Sequence, residues 1–173
     1  QELPDNHSPE IRICVGWPGL IDDSAMGQRV TIALAGDVMT GTTYPEPRLP
    51  ANGGKYLFKD VSGILKKADM AAANLEGAVC EGGTSTKRVV AGRSYAFRMP
   101  PEHVALLKEA GFGFLSLANN HSNDFGSYGS ASTMHLLDSI GIGYAGLPRC
   151  ESHVRESGGV SYGFCAFGHN AHT

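Results

Sequence analysis

The sequence predicts an α/β protein with a largely parallel sheet. Short apolar segments alternate along the chain with segments whose apolar residues recur at helical spacing. Alternation of this kind is typical of parallel sheets, because each crossover helix returns the chain to the start of the next strand. Glycine is frequent, at 23 of 173 residues, and many glycines directly follow the apolar segments, which indicates tight connections.

Continuous apolar segments mark the strands. Strand candidates are residues 30–35, 70–73, 112–117, 142–145 and 160–167. The first, VTIALA, is rich in β-branched residues and reads as a buried strand. Residues 1–29 are expected to be irregular, although 11–17 could add an edge strand.

Helical spacing of apolar residues marks three helices between these strands. The first is predicted over 57–67. The second opens at Pro100-Pro101-Glu102, where proline fits the first turn and a carboxylate favours the positive end of the helix, and it stops at Gly111. The third carries Thr133 and Ile140 on its inner face and ends at Gly141. Residues 81–98 are polar and glycine-rich, and they predict a long loop.

Composition narrows the function classes. Apolar residues are 42% and charged residues 18% of the chain, which is ordinary for one globular domain with a real core. The net charge of −3 gives no basic footprint for nucleic acid. No apolar run approaches the length that crosses a bilayer. The four cysteines are scattered without a CxxC pair, so zinc-ribbon spacing is absent, while one or two disulfides stay open.

Three predicted strands end in polar residues that suit a functional site. Asp37 follows the first strand, Asn74 and Glu76 follow the second, and Asn120 and His121 follow the third. Ligands of open α/β sheets bind outside the carboxyl ends of the strands, so these residues are expected to converge. Carboxylate, amide and imidazole groups fit Mg²⁺, Mn²⁺, Fe or Zn²⁺, which would activate water or polarise a phosphoryl or acyl group. A single histidine with two neutral amides is a poor set for holding two cations.

Structural roles compete with ligand roles at each of these positions. Asn74 and Asn119 can satisfy loop backbone groups through Asx turns, and His121 can be a hydrogen-bonded structural residue. Asp37 can cap a turn, and Glu76 can be a solvated loop carboxylate. Asp124 can orient the loop or His121 as well as touch a ligand.

Two further clusters have both a functional and a structural interpretation. The loop over residues 81–98 contains four cationic residues, Lys87, Arg88, Arg93 and Arg98. They favour either a clamp that binds a polyanion or an ordinary loop whose charges are solvated. His169 and His172, in Gly168-His169-Asn170-Ala171-His172, superficially resemble the GHxH ligand pair of metallophosphoesterases, although a fraying chain end explains them as well.

Together these motifs resemble the CapA family of capsule and poly-gamma-glutamate biosynthesis proteins. The order and spacing agree from about residue 30 to residue 167. The matching pieces are Ala35-Gly36-Asp37-Val38-Met39, Ala68-Asp69 leading to Asn74-Leu75-Glu76, residues 97–100, residues 106–112, Ser116-Leu117-Ala118-Asn119-Asn120-His121 with Asp124 and Gly126, and residues 133–146.

The resemblance implies a layered α/β sandwich of the metallophosphoesterase (calcineurin-like) type. It implies that Asp37, Asn74, Asn120 and His121 occupy metal positions for a divalent ion, and that His121, Asp124 and Glu76 are the catalytic candidates. The implied setting is the bacterial cell surface, with membrane association in the full-length protein. An anionic polymer such as poly-gamma-glutamate or capsular polysaccharide, and a membrane-bound synthase complex, are the implied partners.

Two departures qualify the resemblance. The first metallophosphoesterase motif usually reads Asp-x-His, whereas Val38 and Met39 follow Asp37 here. The family domain is also longer than this chain, so residues 30–173 are expected to be the N-terminal portion of a truncated domain. A partial sandwich would expose apolar sheet surface and favour homo-oligomers.

Three functions therefore stay open at the level of sequence. The leading one is a CapA-like protein of capsule or poly-gamma-glutamate biosynthesis or export with metal-dependent hydrolase activity. The alternatives are a non-catalytic polyanion-binding export accessory protein and a metal-dependent phosphoesterase acting on small phosphate esters.

Overall fold

The protein is built around a four-stranded parallel sheet. In a computed structural model that describes residues 10–14, 30–148, 150–157 and 159–168, the strand order is β2-β3-β6-β7. The strands are β2 (Ile32–Val38), β3 (Met70–Leu75), β6 (Phe114–Ser116) and β7 (Gly143–Ala145). All three pairings are parallel. The α/β class and the parallel sheet predicted from sequence are confirmed.

Helices cover one face of this sheet. They are α1 (Ser62–Leu65), α2 (Val104–Ala110) and α3 (Gly126–Ile140). Both longer helices end where the sequence predicts, because Gly111 and Gly141 adopt the left-handed conformation that closes a helix. Alternate residues of the central strands, among them Ala73 and Leu115, pack against these helices in the larger core cluster.

A second, antiparallel sheet packs against the opposite face. Its order is β1-β9-β8, formed by β1 (Glu10–Cys14), β8 (Ser152–Ser157) and β9 (Val160–Phe167). The rings of Phe114 and Phe164 stack across the two sheets at 4.5 Å. The chain therefore forms three layers, with helices, a parallel sheet and an antiparallel sheet in that order. Residues 160–167 are a strand as predicted, but they pair antiparallel in this second sheet.

The segment before β3 is less helical than its spacing predicts. Only Ser62–Leu65 is α-helical, and the residues from 55 to 61 form turns. Val61 and Ile64 are exposed, so the predicted apolar stripe is not buried along its length. Phe58 packs near the start of this segment, with its ring edge-on to Phe112 at 5.8 Å.

Residues 81–98 form the predicted long loop. Two short strands flank this loop, and β4 (Ala78–Val79) pairs in parallel with β5 (Arg98–Met99). Within the described residues, no helix is both long and apolar enough to cross a membrane. Cys80, Cys150 and Cys165 are free thiols.

Candidate functional site

A bulge in β2 brings Asp37 to the carboxyl edge of the sheet beside Asn74. Leu34 pairs with Ala72 and Asp37 pairs with Asn74, so β2 carries one residue more than β3 between the two pairs. Such an extra residue bends the strand and redirects the side chains that follow it. The exposed Asp37 carboxylate then accepts a 2.8 Å hydrogen bond from the Asn74 amide through Oδ1.

Asn74 joins two carboxylates at this edge. Its Nδ2 donates to Asp37 Oδ1 and to Glu76 Oε2, each at 2.8 Å. Because Asn74 is only 2% exposed, water cannot easily replace its Nδ2 group as the donor of these two hydrogen bonds. The amide thus holds two carboxyl groups close together, and their proximity disfavours charging both of them at once.

Asn119 fixes the orientation of Asn74. Its Nδ2 donates to Asn74 Oδ1 and to the backbone oxygen of Leu75, both at 2.9 Å. A backbone oxygen can only accept, so Asn119 must present its nitrogen there, and Asn74 must present its oxygen to Asn119. The Asn119 oxygen accepts from the backbone N–H of His121, which is the predicted Asx turn.

A buried carboxylate orients the imidazole of His121. Asp124, with no exposed side-chain area, places Oδ2 2.8 Å from His121 Nδ1 and 2.7 Å from the backbone N–H of Phe97. The Lys87 ammonium lies 2.7 Å from Asp124 Oδ1 and donates to the backbone oxygen of Asn120 at 2.6 Å. A carboxylate so placed keeps the proton of the ring on Nδ1 and leaves Nε2 facing the site.

The other imidazole nitrogen faces Glu76. His121 Nε2 lies 3.6 Å from Glu76 Oε1, close enough for a short movement to bring the two into hydrogen-bond contact. Burial raises the pKa of the Glu76 carboxyl; nearby His121 works against this rise, and Asp37 adds to it. The site therefore pairs a carboxyl group with an oriented imidazole, and the two can exchange a proton.

The four cations of the loop divide into two groups. Lys87 is tied to Asp124, and Arg98 lies over the rings of Tyr44 and Phe125 at 5.5 and 5.2 Å. Arg88 and Arg93 are exposed. Lys87 and Arg98 therefore have structural partners, while the polyanion clamp, one of the two interpretations of this loop, stays a prediction.

Two contributors to the site carry little local signal in the sequence. Lys87 lies in a loop whose cations favour either a polyanion clamp or a solvated loop, and it contacts Asp124, 37 residues away. Phe97 donates its backbone N–H to the same carboxylate and lays its ring against the imidazole of His121, with the centroids 4.5 Å apart. Neither contact follows from a residue pattern, because both join the long loop to the segment between β6 and α3.

The described donors do not form a metal-ligand set as they are arranged. Asn74 directs its nitrogen, a donor, at both carboxylates, and its oxygen is used by Asn119. In the described part of the chain, no group of three or more His, Cys, Asp or Glu side chains is placed to hold a metal ion. The metal roles of Asp37, Asn74, Asn120 and His121 stay predictions.

Other predicted features can be placed only in part. Asn120 contributes its backbone oxygen to the contact with Lys87. His169 and His172 lie outside the described residues, so the GHxH prediction is untested.

The fold and the site define a layered α/β protein whose polar cluster lies at the carboxyl edge of a parallel sheet. Residues 31–173 match the family described as bacterial capsule synthesis protein PGA_cap. The chain belongs to this family, which is part of the metallophosphoesterase-like superfamily, and the resemblance inferred from sequence is confirmed.

Similar proteins occur in several bacteria. The chain is 31% identical over 119 residues to the capsule biosynthesis protein CapA of Bacillus anthracis, covering 69% of this chain and 28% of that protein. It is 30% identical over 122 residues to the PGA biosynthesis protein CapA of Bacillus subtilis (strain 168), covering 67% and 31%. An uncharacterized protein of Sinorhizobium fredii is 32% identical over 119 residues, covering 68% and 24%. The matched part of the chain thus spans 24% to 31% of the length of these relatives.

Proposed function

We propose that this protein acts in capsule or poly-gamma-glutamate biosynthesis, and that Glu76 and His121 form the acid–base pair of a hydrolytic step on the polymer. The family and the names of the Bacillus relatives support the biological setting. The 3.6 Å approach of Glu76 Oε1 to His121 Nε2, with the ring anchored by buried Asp124, is the observation that carries the chemistry.

The pair suits hydrolysis of an amide link between glutamate units. His121 Nε2 accepts a proton from the water that attacks the carbonyl carbon. The protonated Glu76 carboxyl gives its proton to the leaving nitrogen as the C–N bond breaks, so the products are one carboxyl and one amine. Proton transfers of this kind typically accelerate a reaction by about 10²- to 10⁴-fold.

The remaining residues position the pair. Asp124 holds the imidazole so that Nε2 faces Glu76, and Lys87 neutralises the buried charge of Asp124. Asn74 holds Glu76 through Oε2, which leaves Oε1 directed at the ring. We propose a cell-envelope setting with poly-gamma-glutamate or a capsular polysaccharide as the polymer, and a synthase complex as the partner.

Polymer cleavage by the purified protein tests this function. The chain length of poly-gamma-glutamate would be followed by gel filtration for the unmodified protein and for His121→Asn and Glu76→Gln. Each substitution is expected to lower the rate about 100-fold or more. Glu109→Gln is a matched control, because Glu109 is exposed on α2, and its rate should not change. Equal rates in all four proteins would refute the proposed pair.

A second function, polyanion binding without catalysis, is favoured by the exposed guanidinium groups of Arg88 and Arg93 on the loop. A protein that binds the polymer tightly but never shortens it would support this alternative. The third function, cleavage of small phosphate esters, predicts turnover of an aryl phosphate with added Mn²⁺. The other two functions predict no turnover in that assay.

A further inference from the structure

Three neighbouring aromatic rings lead from the protein surface to the imidazole of the site, the outer two stacked and the inner two tilted by 38°. The rings of Tyr95 and Phe97 are nearly parallel, with an interplanar angle of 15° and centroids 6.2 Å apart. Phe97 in turn lies 4.5 Å from the ring of His121. Tyr95 is 49% exposed, so the outer face of this ladder is open to solvent.

Backbone contacts fix the position of the residue that carries the inner ring. The Phe97 backbone N–H donates to Asp124, and its backbone oxygen accepts from Ala78. Gly77 packs closely against the same residue, since a Cβ at this position would lie 2.8 Å from the Cβ of Phe97. The φ of Gly77 is +112°, which favours glycine. A fixed aromatic surface binds a ligand with little loss of conformational entropy.

Cations lie along the same stretch of loop. Val90 and Ser94 exchange two backbone hydrogen bonds and close a tight turn that carries Arg93. Tyr95 follows this turn directly, and Arg88 lies just before it. Both arginines are exposed, unlike Arg98, whose guanidinium is occupied by two aromatic rings.

We propose that Tyr95 and Phe97, together with Arg88 and Arg93, form a subsite that holds a γ-linked glutamate chain beside His121. Aromatic faces accept amide N–H groups, which this polymer repeats along its backbone. Guanidinium groups pair with carboxylates, which the polymer presents at every unit. The inference rests on the proposed function for its ligand, but it concerns binding and not the proton transfer.

The experiment measures binding of a γ-linked decaglutamate to the intact chain by calorimetry. Tyr95→Ala is expected to weaken binding by roughly 2- to 12-fold, the range of one aromatic contact. Tyr95→Phe keeps the ring and should bind within about twofold of the unmodified protein. Tyr56→Ala is the matched control, since Tyr56 is 66% exposed in the segment before α1. Thermal melting would confirm that each variant is folded.

A charge variant tests the second half of the subsite. Arg93→Ala should weaken binding at low ionic strength and lose most of its effect at high salt, because exposed charges are screened. Unchanged affinity in Tyr95→Ala would overturn the subsite, as would equal weakening by Tyr56→Ala. Absence of decaglutamate binding by the unmodified protein would overturn it as well.

Failure of the subsite and failure of the proposed function give different results. None of these variants alters Glu76 or His121, so the acid–base pair is judged by the cleavage rate alone. Binding that is retained in Glu76→Gln without cleavage leaves the subsite standing.

Discussion

The contact between Lys87 and Asp124 is expected to stabilise the fold by linking the long loop to the segment between β6 and α3. The ammonium lies 2.7 Å from a carboxylate that is completely buried, while Lys87 itself is 26% exposed. Exposed ion pairs contribute about 0.2–1 kcal/mol, and breaking a fully buried pair costs about 3–5 kcal/mol. A pair with one buried and one partly exposed member should lie between these limits.

A double-mutant cycle measures this contact directly. We expect Lys87→Met to lower the free energy of unfolding by about 2 kcal/mol, because Asp124 is left buried with only His121 and Phe97 as partners. In the Asp124→Asn background the same change should cost about 0.5 kcal/mol, since no charge is left unpaired. The coupling is therefore about 1.5 kcal/mol.

Urea unfolding followed by circular dichroism provides the four free energies. Lys59→Met, a substitution at an exposed lysine, is the control and should change stability by less than about 0.5 kcal/mol. A coupling below about 0.5 kcal/mol would show that Lys87 does not neutralise Asp124 and would refute the reasoning. Added salt should change the coupling little, because the carboxylate is shielded from solvent.

Three further predictions concern stability. Burial raises the pKa of Glu76 from its ordinary value of 4.5, so the folded state binds that proton more tightly than the unfolded state, and stability falls as the pH rises through the raised pKa. Glu76→Gln should therefore unfold at a higher urea concentration than the unmodified protein at pH 7, and this advantage should vanish below about pH 4.5; an equal advantage at both pH values would contradict the raised pKa. Asn119→Ala removes three hydrogen bonds from buried partners and should lower the free energy of unfolding by about 2–4 kcal/mol in the same assay. A decrease below about 1 kcal/mol would mean that water replaces the amide. Arg98→Ala should lower the free energy of unfolding by about 1–2 kcal/mol, because the contacts with two rings and the hydrogen bond to Thr43 are lost. Arg93→Ala should change it by less than about 0.5 kcal/mol. Similar decreases for both variants would contradict the division of the loop cations into two groups.

The central sheet could be predicted because its strands are continuous apolar runs. Strands buried on both faces need no polar alternation, and β3 is buried over all six of its residues. The helix ends at Gly111 and Gly141 could also be predicted from the sequence, since the left-handed conformation that ends a helix favours glycine. In contrast, β8 reads SHVRES and has no apolar run, because it is an outer strand of the second sheet and, among the described residues, pairs with β9 alone.

The sequence could predict which residues of the site lie at the strand ends, but not the hydrogen bonds that connect them. Parallel strands bring Asp37, Asn74 and His121 to one edge whatever their separation in sequence. The bulge that turns Asp37 toward Asn74 depends on the register between β2 and β3, which no local pattern encodes. The contact from Lys87 depends in the same way on how the long loop folds over the edge of the sheet.

The proposed partnership of Glu76 and His121 is tested most directly by a catalytic double-mutant cycle. Single-turnover cleavage of poly-gamma-glutamate would be measured for the unmodified protein, Glu76→Gln, His121→Asn and the double variant. Groups that act as one unit lose most of their effect with the first substitution. We predict that each single variant falls about 100-fold or more and that the double variant lies within several-fold of either one. Losses that multiply, or a single variant that retains full rate, would contradict an acid–base pair at this site.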